Sequence, residues 1–205
     1  MPIFISAFPE DFCLTYVNTL SWRGSPTPIE RLHGFVDILA WIEQSGVVSL
    51  AAIDGAREWV RGHKTEAVRT FTAAIDIREA LFRIFSAIAV GVSAEQEDLL
   101  NFNIVLASMP RRDRIAEVPE GYCWDISQKR SSASDILAPV LWSAGDLMLK
   151  AQIRRIRRCA NAECMWLFID QSKTNTRRWC DMGSCGNRAK SRRHYARSKQ
   201  HMKEA

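Results

Sequence analysis

The sequence predicts a mainly α-helical protein with a few short strands (α+β). A helical N-terminal body is followed by a small treble-clef-like finger built on four cysteines. Three observations predict this. Through most of the first 150 residues, apolar side chains recur at three- and four-residue steps between helix-start and helix-stop signals. Four of the six cysteines then fall close together as two pairs, Cys159-x4-Cys164 and Cys180-x4-Cys185, with fifteen residues between the pairs. Finally, the charge reverses. Residues 1–149 hold 13 Lys and Arg against 19 Asp and Glu, whereas residues 150–205 hold 15 against 4. The chain therefore divides into residues 1–150 and residues 151–205, with the boundary near Lys150–Ile153.

Taken in order, residues 12–22 are apolar and fit either a strand or a helix. Thr27-Pro28-Ile29-Glu30 has the form of a capping box with proline at the first helical position. It predicts a helix whose buried side carries Ile29, Leu32, Val36, Leu39 and Ile42, ended by Gly46. A second helix is expected from Leu50 to Val60 with Ser49 as cap. A third should run from Thr65 to about Val90, with Val68, Phe71, Ile75, Phe82 and Phe85 inward. Ser93-Ala94-Glu95-Gln96 reads as a further capping box, opening a helix with Leu99, Leu100, Val105 and Leu106 and closed by Pro110. Residues 114–118 and 122–126 read as two strands around Pro119-Glu120-Gly121. Gln128 to Ser134 is loop-like. Ser132 and Asp135 then cap a helix that buries Leu137, Val140, Leu141, Ala144 and Leu147. Helices with their own caps and apolar faces predict that residues 1–149 fold alone.

The cysteine spacing is that of a structural four-cysteine zinc site. Between the pairs, Trp166-Leu167-Phe168-Ile169 is strand-like and Lys173-Thr174-Asn175-Thr176 turn-like. Arg177-Arg178-Trp179 returns to Cys180, so the excursion is expected to be a hairpin. A helix should follow Cys185, where the sequence is rich in Ala, Lys and Arg. Two disulfides and an iron–sulfur cluster are the rival uses of four cysteines. A chain without an export signal keeps its thiols reduced, and cluster ligands are usually spaced more tightly. One structural Zn²⁺ held by Cys159, Cys164, Cys180 and Cys185 is the expectation. Four thiolates leave no open position for water, so the metal should not be catalytic.

These residues carry a resemblance. Arg178-Trp179-Cys180 and Cys185-Gly186-Asn187-Arg188, followed by Ala189-Lys190, resemble the signature of the CGNR zinc-finger family. Tyr16-Val17-Asn18-Thr19-Leu20 resembles the asparagine–threonine motif near the start of the ABATE domain that precedes the finger in that family. Here Tyr16 stands where phenylalanine is expected. The resemblance spans nearly the whole chain and is most specific over residues 159–197. It implies a bacterial transcription regulator of stress response, with DNA as the partner.

Composition sets the remaining bounds. The chain of 205 residues is 47% hydrophobic with seven tryptophans, enough for a real core. No run approaches the roughly 20 apolar residues of a membrane helix. The first residues lack a basic stretch, and Pro9, Glu10 and Asp11 interrupt the apolar ones, so a cytoplasmic protein with no membrane association is expected. No Gly-rich phosphate loop, G-x-S-x-G turn or H-E-x-x-H appears, so no catalytic residue is assigned and the chain is read as a non-enzyme.

An acidic body joined to a basic module suggests that the module alone meets a polyanion. Arg188, Lys190, Arg192, Arg193, Arg197 and Lys199, on the expected final helix, are the nucleic-acid candidates. The bland alternative is that arginines near the four thiolates merely balance their charge. Asn18, Thr19, Arg23 and Arg78 are candidates for a small-molecule pocket in the N-terminal body, or else satisfied structural groups. Self-association into a homodimer is the other way that body could regulate. Two further readings stay open: a zinc-stabilised protein-interaction or RNA-binding module, and an uncharacterised enzyme in the N-terminal body.

Overall fold

Amphipathic helices of this length need a partner for their apolar stripes, and here they cover one another around one core. In the computed structural model, which describes residues 3–126, 132–192 and Tyr195, the order begins with β1 (Phe4–Ile5), α1 (Phe12–Val17), α2 (Phe35–Ser45) and α3 (Leu50–Gly62). Then come α4 (Lys64–Ala89), α5 (Gln96–Ser108), β2 (Ile115–Val118), β3 (Gly121–Asp125) and α6 (Ala138–Leu149). The finger holds β4 (Ile156–Arg158), β5 (Leu167–Ile169) and a final helix, α7, helical over residues 187–192.

The undecided segment is helical only over α1. Five of its six residues are buried, against α6 on one side and α4 on another. A helix buried on nearly every side shows no polar stripe, which is why its period could not be read. The strands β2 and β3 pair across the expected turn, with Gly121 at φ +126° where glycine is favoured. Unforeseen was β1, which adds antiparallel to β3 to give the order β1-β3-β2.

Two helix starts differ from expectation, and a third lacks its expected side-chain cap. Helix α2 begins at Phe35, not after Thr27. Ser21 and Ile29 exchange backbone hydrogen bonds of 2.9 and 2.8 Å, and the Glu30 carboxylate accepts from the Arg31 and Leu32 N–H groups and from Arg78. Glu30 is thus held by tertiary partners and cannot cap. Asp37 does that work instead, accepting from the His33 and Gly34 N–H groups at 2.7 and 3.1 Å. Val36 and Ile29 are exposed, while Phe35 and Ile38 join Leu39 and Ile42 inside. At α5, Ser93 stays outside. The first turn is anchored by the tertiary Arg83–Asp98 pair, Asp98 and Phe102 are buried, and Leu100 is exposed. Ser49 precedes α3 as expected, but its hydroxyl accepts from the Phe4 N–H (3.4 Å) and its N–H donates to the Phe4 carbonyl. In α4, Val68 faces solvent, while Phe85 is buried and Phe71, Ile75 and Phe82 pack against the core. Ser132 and Asp135 form their capping box as read, opening a short 3-10 turn that runs into α6.

The finger is seated on the body. Strands β4 and β5 pair antiparallel, Ile156 with Ile169 and Arg158 with Leu167. Ile156, Leu167 and Ile169 are buried in the same core as the helices, against α4 and α1. Residues 1–149 therefore leave part of their core to be covered by the finger.

Candidate metal centre and basic helix

The expected hairpin between the cysteine pairs does not form. Strand β5 returns on β4, so the first cysteine pair occupies the turn of that hairpin, and residues 177–179 form no strand. The Cys159 N–H donates to the Trp166 carbonyl (2.8 Å), and the Asn161 carbonyl accepts from the Cys164 and Met165 N–H groups. Met165 has φ +57°, the left-handed residue that closes such a knuckle. The excursion folds around Asp170, whose carboxylate accepts from the Ser172 and Arg177 N–H groups at 2.9 and 2.8 Å. Burial would raise this carboxyl, but those hydrogen bonds together hold it below the usual carboxylate range. The second pair sits around a turn capped by Asp181, which accepts from the Ser184 N–H, and α7 follows directly.

This brings the four cysteines together. Their Sγ atoms all lie within 4.8 Å of one another, with Cys164–Cys180 at 3.7 Å and Cys180–Cys185 at 3.8 Å. A tetrahedral ion with metal–sulfur bonds of about 2.3 Å has a sulfur–sulfur edge of about 3.8 Å. The donor set therefore fits a four-coordinate metal. Among themselves the thiols compete for charge: hydrogen bonds from Cys164 and Cys180 push Cys159 well below the usual thiol range, and its bond to Cys159 pushes Cys164 above it. Ionising all four requires a cation between them.

Several residues around the cluster were not foreseen. Buried Asn161 donates through Nδ2 to Cys185 Sγ at 3.7 Å, an orienting contact of the kind that supports metal ligands. Its position inside the first pair was the available signal. Arg177 donates to the Trp179 carbonyl (2.9 Å) and the Cys180 carbonyl, and lies over the Phe168 ring. Gly186 belongs to the turn between Asp181 and α7. Its N–H donates to the Asp181 carbonyl (3.0 Å), and a Cβ there would meet the Met182 side chain at 3.0 Å. Asn187 donates to the Gly183 carbonyl within the same turn. Trp166 and Trp179 pack on the cysteine cluster and form a miniature core with it.

Of the nucleic-acid candidates, Arg188, Lys190 and Arg192 are exposed on α7. Arg193, Arg197 and Lys199 lie outside the described residues. Arg188 lies 4.4 Å over the Trp22 ring, and Arg192 pairs with Glu163 at 3.2 Å with both side chains about half exposed. The loop carrying Trp22 also grips the first knuckle: the Gly24 N–H donates to the Glu163 carbonyl, and a Cβ on Gly24 would fall 2.0 Å from the Ala162 carbonyl oxygen.

The four small-molecule candidates do not surround one pocket. Asn18 uses its whole amide on Leu167 of β5, donating to its carbonyl (2.8 Å) and accepting from its N–H (3.0 Å). The Thr19 hydroxyl donates to the Tyr16 carbonyl and accepts from Arg78. Arg78 is 2% exposed and pairs with Glu30 and Glu79, while Arg23 pairs with Glu79 from the other side. Burial would raise both glutamates, but these arginines hold them below the ordinary carboxylate range. Asn18 and Thr19 do line a cleft of about 560 Å³ between α1, α2 and Trp166 of the finger.

Among the described residues no helix is long and apolar enough to cross a membrane. Residues 155–198 match the family described as the CGNR zinc finger. Residues 10–150 match the ABATE family, described as "Putative stress-induced transcription regulator". No curated protein matches the sequence.

Proposed function

Because the chain belongs to the ABATE family and carries a CGNR zinc finger, we propose that it is a zinc-dependent DNA-binding transcription regulator. The observation that carries this reading is the placement of α7. Arg188, Lys190 and Arg192 are exposed on a helix that starts two residues after the last cysteine of the cluster. The rest of the finger is strongly basic and the body acidic, so duplex phosphates would be met by the finger and repelled by the body. Zn²⁺ on Cys159, Cys164, Cys180 and Cys185 would fix the turn from which α7 starts, which makes binding metal-dependent. The Arg192–Glu163 pair does not oppose this. Exposed pairs contribute about 0–1 kcal/mol, so a phosphate oxygen can replace the carboxylate. The body binds or regulates and catalyses nothing.

The test is a salt titration of the zinc-loaded full chain against duplex DNA, single-stranded RNA and an acidic protein. The expected result is duplex affinity whose logarithm falls linearly with the logarithm of salt concentration, lost on chelation. Salt-insensitive affinity, or preference for RNA or the acidic protein, would replace this reading with the interaction or RNA-binding module.

A further inference from the structure

We propose that the cleft between α1, α2 and Trp166 is a binding site for a small planar aromatic carboxylate, and that its occupant steadies the seated finger. The cleft's volume, about 560 Å³, is within the range of small-molecule sites, which favour such junctions between structural units. Its walls explain the chemical class. Two indoles line it, Trp41 from α2 and Trp166 from the finger. Trp41 is backed by Phe12, stacked with ring centroids 5.1 Å apart, and by Tyr16 at 5.2 Å, so its plane is set before any ligand arrives. Planar apolar walls of this kind favour an aromatic ring.

Besides the Gln44 amide, the polar groups divide sharply. Asn18, Thr15 and Thr19 already bond to backbone, so they shape the cleft without offering recognition. Arg31 has no ion-pair partner among the described residues, and the Trp166 indole N–H is buried without an acceptor among them. Arg31 is the exposed donor of the two, and an anionic acceptor satisfies it. Asp37 is the one acid on the wall, and its Oδ2 is turned to the His33 and Gly34 N–H groups. Its other oxygen suits a hydroxyl on the ligand ring.

The site also reaches the metal centre. Trp166 packs on the cysteine cluster, and the next residue, Leu167, is the one held by Asn18. A molecule touching Trp166 and α2 together therefore ties the finger to the body. This inference does not depend on the DNA reading, because its readouts are binding and metal retention.

The experiment uses the zinc-loaded full chain with benzoate, 4-hydroxybenzoate and indole-3-acetate at millimolar concentration, each beside its neutral amide. Tryptophan fluorescence, melting temperature and the rate of zinc transfer to a chromogenic chelator are followed. The acids should change the fluorescence, raise the melting temperature and slow zinc transfer, with 4-hydroxybenzoate strongest. Arg31→Ala, at an exposed position, should fold normally and lose about tenfold in affinity for the acids but not the amides. Trp41→Phe should weaken acids and amides alike. If no acid binds, if acids and amides bind equally, or if Arg31→Ala keeps the preference, the proposal is overturned, whatever the DNA titration shows.

Discussion

The helical body and the finger solve the same problem with different means. The body buries a continuous apolar core drawn mainly from helices α1 to α6 and strand β1, and its charged groups are satisfied in pairs such as Arg78–Glu30. The finger's own cluster consists of Cys159, Cys164, Cys185 and Phe168, flanked by Trp22, Trp166, Trp179 and Cys180. That is too little apolar surface to order about 50 residues against their conformational entropy. Strand β5 shows how the shortfall is met. Alternation along it sends Leu167 and Ile169 into the body's core and Phe168 toward the cysteines. The finger is thus fixed on one side by a metal and on the other by a borrowed core. Its stability depends on both.

The comparison breaks most visibly at the metal. Structural zinc contributes about 10–16 kcal/mol of apparent binding free energy in small fingers. Cys180→Ser should remove stoichiometric zinc and cost residues 170–192 their protection from hydrogen exchange. The helices of the body should stay protected, which exchange mass spectrometry reads directly. Loss of protection throughout the chain would mean that the two regions form one cooperative unit.

Truncation attacks the other side. Removing residues after 149 deletes Ile156, Leu167 and Ile169 from the core. At about 1.5–3 kcal/mol for each buried side chain, the loss is on the order of 5 kcal/mol, comparable with the whole stability of a small domain. The capped helices suggested that residues 1–149 fold alone. The shared core now predicts a fragment that unfolds at much lower urea and binds a hydrophobic dye. A fragment of residues 1–149 as stable as the full chain would show that the finger contributes nothing to the body.

Asn18→Ala is a sharper and smaller cut. It leaves the Leu167 N–H and carbonyl without their partners at a buried junction, at about 1–3 kcal/mol. Asn18→Asp keeps the acceptor but replaces the donor with a second oxygen facing the carbonyl, so it should be no better than alanine. Chemical denaturation of the three proteins, zinc-loaded, ranks them.

What the sequence made legible follows from how local each feature is. The Ser132–Asp135 box and the start of the helix after Cys185 depend on neighbours within a few residues and appear as read, and the four cysteines were legible from their paired spacing. The features that escaped depend on distant partners. Glu30 matches a capping box, yet Arg78, 48 residues away, holds it, so α2 starts at Phe35. Strand β1 has only two residues and exists because β3 offers an edge. Asn18 and Thr19 stood out as polar residues in an apolar run. Their hydrogen-bond partners, 149 residues away for Asn18 and both one helical turn and 59 residues away for Thr19, could be identified only in three dimensions.

The smallest expected effect bears on α7. Arg188 is engaged by the Trp22 ring, so replacing it changes both the charge proposed to meet DNA and the grip on the finger. Arg192 separates these. It lies about two turns beyond Cys185, and its one partner among the described residues is the exposed Glu163. Arg192→Ala should therefore keep zinc and melting temperature nearly unchanged, within about 0.5 kcal/mol of stability. If Arg192 meets a phosphate, the variant should bind duplex DNA more weakly at moderate salt, with a salt slope lower by about one unit and no change in sequence preference. If it reaches a base edge instead, affinity should fall by about 1–3 kcal/mol on the preferred site and little elsewhere. Glu163→Gln provides the opposite arm: freeing Arg192 from its carboxylate should tighten binding and steepen the salt dependence. Should both variants bind as the parent does, the pair of Arg192 and Glu163 is a surface contact of the finger and α7 meets DNA through another face, if at all.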